Sequence, residues 1–204
     1  MDRIAKPALF SLLINMVFAL YNIIFGVITY SWWLLTLGVY YAILSAVRFA
    51  VLKTKRSNGF VTRFSGIMLM LLSVPLVGIV ILAVARDRGI VMHEIIMITM
   101  AAYSFTKITL AIINVIKVKS SRSAKLVALR NIALSEAFVS IFALQRSMLV
   151  SFGDMSETDI RIFNIALGSA VCIIVFLLGL NLVMRKKILF NNLDGQETDE
   201  VAQL

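Results

Sequence analysis

Six runs of about twenty apolar residues divide this chain, each long enough to cross a bilayer as a helix, and little is left over from which to build a soluble domain. The runs lie at about 7–29, 32–52, 64–85, 91–116, 124–147 and 160–184. Of the 204 residues 60% are hydrophobic and 15% charged, against about 25% charged in a soluble domain. Such a chain cannot hide its apolar side chains inside itself, so lipid has to be its solvent. The expected fold is an all-α, polytopic integral membrane protein. Its six transmembrane helices would form three hairpins in one domain, 1–187, followed by a polar, acidic tail, 188–204, expected to be disordered. The first run has the basic start of a signal peptide. It is too long for one, shows no small-x-small cleavage site and is followed almost at once by a second span, so it reads as retained.

The connections give the orientation. Lysine and arginine, rather than net charge, orient a membrane protein. If the chain starts inside, 15 of its 20 basic residues fall on the cytoplasmic side, among them those of KTKRSNGFVTR, KVKSSRSAK and the RKK that ends the sixth span. The outer side receives only Arg86, Arg88, Arg146 and Arg161. Both termini are therefore expected in the cytoplasm of a multi-pass plasma-membrane protein. Most of the net charge of +9 is then topology signal and contact with anionic lipid, and nucleic acid is not an expected partner. Arg48 and Arg130 lie near cytoplasmic helix ends, where long basic side chains snorkel to the interface. Tyr30, Trp32 and Trp33 suit an interfacial aromatic belt at the first outer turn.

Lys107, the remaining basic residue, sits inside the fourth span, and Glu136 sits inside the fifth. Lys107 precedes Lys117 by ten residues, and Glu136 follows Lys125 by eleven. At 1.5 Å per helical residue, both lie roughly 15 Å from the same face of the membrane, near the middle of the hydrocarbon. A charge at that depth costs about 2.5–3.5 kcal/mol on the insertion scale, and an opposite charge at matched depth offsets part of it. A direct pair is expected. On that basis, removing either partner costs about 3–5 kcal/mol and removing both restores most of the loss.

Polar and small residues recur at helical spacing around the pair. Span one carries Ser11, Asn15, Ala19, Asn22 and Gly26 on one face, span four Tyr103, Lys107 and Asn114, and span five Ala133, Glu136 and Ser140. In lipid such stripes mark helix-helix contact, and this is the plainer explanation for spans one and six. Segments 19–26, 71–78 and 133–140 also align without gaps, as an internal repeat of one hairpin would. There Asn22, Val74 and Glu136 share one position, and Gly26, Gly78 and Ser140 another.

Catalytic signatures are missing: no Gly-x-Ser-x-Gly elbow, phosphate-cradling glycine loop or His-Glu-x-x-His. One His and one Cys (His93 and Cys172) make a zinc site unexpected, and no cofactor is expected. Asp154, Glu157 and Asp159 lack the spacing of a calcium loop. In span number and inner termini the chain resembles the substrate-binding subunits of energy-coupling-factor transporters, a likeness of gross architecture that rests on no motif. The leading expectation is a transporter or transporter subunit, not an enzyme, with a small-solute or ion site between spans one, four and five. Asn15, Asn22, Tyr103, Lys107, Asn114 and Glu136 would line it. The alternative is a non-transporting scaffold or regulatory partner of another membrane protein.

Overall fold

The computed structural model describes the backbone of residues 2–54, 58–85, 94–118, 123–152 and 156–201, and side chains over 11–54, 59–85, 97–116, 123–149 and 156–184. Six helices account for nearly all of it: α1 (Asp2–Ile28), α2 (Trp32–Lys53), α3 (Asn58–Ala85), α4 (Glu94–Val118), α5 (Ala124–Phe152) and α6 (Glu157–Val201). All six are long and apolar enough to span a membrane, and there is no strand among the described residues. Without water to take up its backbone N–H and C=O groups, an apolar run of this length has to satisfy them within itself, which the helix does. His93, Asp154 and the side chains of the 188–204 tail lie outside the described residues.

Local chemistry sets the helix ends. α1 stops in a left-handed turn at Tyr30 (φ 51°), where the Ser31 N–H donates to the Gly26 carbonyl and the Tyr30 N–H to that of Val27. This is the paired bonding of a Schellman cap, with tyrosine in the place that usually takes glycine. Ser31 then caps α2 by accepting from the Leu34 N–H. At the start of α6, the Ser156 hydroxyl donates to Asp159 and accepts from its N–H. That places Asp159 in a helix cap, and no cluster of three metal-ligating side chains occurs among the described residues.

α5 is the central helix. Some 72% of its span is buried, against 28% for α4 and α6, and it touches α2, α3, α4 and α6. α1 packs on α2 and α4 on α5, while α3 finds its main partner in α6 rather than in α4, which follows it in the chain. Glycine explains that choice. A Cβ on Gly66 would meet the Gly179 carbonyl oxygen at 2.7 Å, and one on Gly179 would meet the Gly66 oxygen at 2.8 Å. The two backbones touch, as small-residue crossings allow. Near the other end of α3, buried Arg146 of α5 donates to the Ala83 carbonyl and lies 4.9 Å from the Trp33 ring centre.

The interior keeps an apolar core, but unlike a soluble bundle the outward faces are apolar too, and several polar side chains lie inside. Leu13, Val17, Leu20 and Ile24 point outward from α1, and Ser11, Asn15 and Asn22 are buried. The segments aligned as a repeat do not share surroundings. Val74 is exposed where Asn22 and Glu136 are buried, and a Cβ on Gly78 would meet nothing where one on Gly26 would strike α2.

Candidate functional site

Four helices converge on one carboxylate. Glu136, halfway along α5, is completely buried. Its Oε2 accepts from Lys107 Nζ of α4 at 2.9 Å and lies 2.9 Å from a terminal nitrogen of Arg48 on α2. Its Oε1 accepts from the Asn15 amide of α1 at 2.7 Å. The Asn15 oxygen in turn accepts from the Tyr103 hydroxyl at 2.7 Å, so a chain of hydrogen bonds runs from α4 through α1 to α5. The second terminal nitrogen of Arg48 donates to Ser11.

Aromatic rings wall this centre. Tyr103 stacks on Phe18 with ring centres 3.5 Å apart, Tyr41 meets Tyr103 edge-on at 5.8 Å, and Lys107 Nζ stands 5.5 Å from the Tyr103 ring centre. One turn along, the Ser104 hydroxyl donates to the Ser140 carbonyl and draws α4 against α5. Lys107 and Arg48 are each 2% exposed, so the centre is closed in this conformation.

Of the six residues expected to line a site, four meet here: Asn15, Tyr103, Lys107 and Glu136. Asn22 is buried two turns along α1, where its amide donates to the Phe18 carbonyl of its own helix. Asn114, two turns beyond Lys107 and half-buried, makes no hydrogen bond to the cluster.

Arg48 corrects the sequence reading. It does not snorkel to the cytoplasmic face but turns inward as a full member of the cluster. Its Cα lies five residues before the end of α2, about 7.5 Å in, and the two long side chains together close the remaining gap to Glu136. The signal was present in α2. Leu34, Leu37, Tyr41, Leu44, Arg48 and Val51 follow one another at spacings of three and four, so Arg48 belongs to the buried stripe. Tyr41 follows from the same stripe.

The extra cation changes the electrostatics. Glu136 is the only carboxylate among the described side chains from 11 to 149, and it faces two cations. The centre is therefore a neutral pair plus one positive charge, held where the local dielectric is low. Both cationic nitrogens are 2.9 Å from one oxygen, so they lie within twice that distance of each other and repel. A groove of about 480 Å³ between α3 and α6, lined by Val80, Ile81, Ile165 and Cys172 with Arg161 among its residues, is apolar and contains none of the expected site residues. Compared with known families and curated proteins, the sequence matches no family model and no curated protein.

Proposed function

We propose that the protein is a multi-pass membrane transporter, or the membrane subunit of one, whose solute site is the buried polar centre joining α1, α2, α4 and α5. The observation that carries this reading is the excess of partners on Glu136. A contact that only fixes helix register can be made with one counter-charge. This carboxylate holds two cations and an amide from three other helices, and ionisable groups at such depth mark pathways more often than packing. α4 is the natural moving part. Little of it is buried, and α5 is its main packing partner. Polar and aromatic contacts through Tyr103, Ser104 and Lys107 tie it to the rest. A solute competing for those contacts would favour a second packing of the bundle.

In this reading the protein resides in the plasma membrane with both termini cytoplasmic. Moving Arg48 into the interior leaves 14 basic residues on the cytoplasmic side, still far more than outside, and those loops face anionic lipid. The closed packing of Lys107 and Glu136 favours a second reading, a scaffold or regulatory partner in which the cluster only holds four helices together. Accessibility decides between them. In a Cys172→Ser background, Ser140→Cys places a thiol one turn from Glu136. A transporter should open enough for a small water-soluble thiol reagent to label it in native membranes. No labelling, with or without candidate solutes, would favour the scaffold.

A further inference from the structure

Among the described residues, α2 carries several buried donors without a hydrogen-bond partner. Arg48 Nε and the hydroxyls of Tyr40 and Tyr41 are buried and have no hydrogen-bond partner. All three can donate. Tyr41 lies edge-on to Tyr103 and Tyr40 edge-on to Tyr41. Unmet buried donors each carry a desolvation cost of about 1–3 kcal/mol. Arg48 belongs to a centre that already has one positive charge too many, and the Tyr41 ring packs against its Tyr103 wall.

A ligand that answers both conditions has a single negative charge and only acceptors. We infer that the solute of this site is a small monovalent anion, of the halide or short carboxylate class, held by Arg48 and Lys107 with Tyr41 as a neutral donor. The inference rests on the transport reading and specifies its substrate class. Charge arithmetic decides the valence. One monovalent anion brings the centre to zero, a dianion overshoots to −1, and a cation raises it to +2, which is costly in a low-dielectric interior. Size follows from the closure of the centre, where Lys107 Nζ already stands 5.5 Å from the Tyr103 ring and Tyr103 stacks on Phe18, so that a small ion displaces less packing than a large one.

The test is a melting-temperature series on the purified protein in detergent. Chloride, formate or acetate replaces bulky gluconate at constant ionic strength, so that screening is held fixed. The expected result is a saturable upward shift of about 2–4 °C once the anion exceeds its Kd several-fold. Lys107→Met removes the surplus charge and leaves the Arg48–Glu136 pair, so it should fold and lose the shift. Arg161→Gln, at an exposed position on α6, should keep it. A shift that persists in Lys107→Met places the anion elsewhere and overturns the proposal. The proposal also falls if no anion shifts the wild type. If no anion acts but Ser140→Cys is labelled, the site opens for another solute: the anion inference falls and the transport reading stands. If neither is seen, both fall.

Discussion

At the scale of single residues, the third partner of Glu136 revises what a two-charge picture predicts. Lys107→Met leaves a neutral Arg48–Glu136 pair, so it should cost less than about 1.5 kcal/mol, within the range of one hydrogen bond. Glu136→Leu leaves two repelling buried cations and should cost at least the 3–5 kcal/mol or so of a broken buried pair. Joining the two substitutions should not restore stability, because Arg48 then has no counter-charge. Restoration should need Arg48→Met as well. Melting temperatures in detergent, with expression in membranes as a second readout, check this order; a double mutant that recovers would show that Arg48 escapes to the interface. The Lys107–Glu136 contact was legible because matched depth needs only a residue count and the helical rise. Depth and face conflict at Arg48: its position near a helix end points to water, while its place in a buried stripe points to the interior, and the stripe prevails. Helical phase alone groups Asn22 and Asn114 with the site, and phase does not say how far along the axis a partner stands.

At the scale of helices, the glycines separate contact from permissiveness. Gly66 and Gly179 bring the backbones of α3 and α6 together, so Gly66→Val or Gly179→Val has to force them apart. Each should lower stability by about 1–3 kcal/mol, as overpacking does. A Cβ on Gly78 meets nothing within 4 Å, and Gly78→Ala should be neutral within about 0.5 kcal/mol. A thermal melt of the three variants checks both; equal losses at Gly66 and Gly78 would mean that contact with α6 is not what distinguishes the two glycines, since helix propensity alone would favour each substitution. Helix number and approximate limits could be read from the sequence because the length of an apolar run is set by the thickness of the layer it crosses. The pairing of α3 with α6 could not be read in this way. Small residues recur on most of these helices, and nothing local says that Gly66 answers Gly179.

At the scale of the whole molecule, six crossings and the basic loops predict that reporters fused to either terminus are active only on the cytoplasmic side; a C-terminal reporter active only outside would overturn the topology. The arrangement around Glu136 also has a consequence in time. A polypeptide emerges from the ribosome N-terminal end first, at about 5–20 residues per second. Arg48 and Lys107 both precede Glu136 in the chain, Arg48 by 88 residues, a delay of roughly 5–20 s. Through that interval the nascent chain has to hold its buried cations against the bilayer with no carboxylate among the described side chains of α1–α4 to receive them. Synthesis of α5 ends the wait for both at once, so it acts as the keystone of assembly as well as its geometric centre. A chain cut after Val118 should be cleared by membrane quality control, and one cut after Phe152 should survive longer. Glu136→Gln in the longer fragment should return its half-life to that of the shorter one, a pulse-chase comparison that reads the order of construction directly.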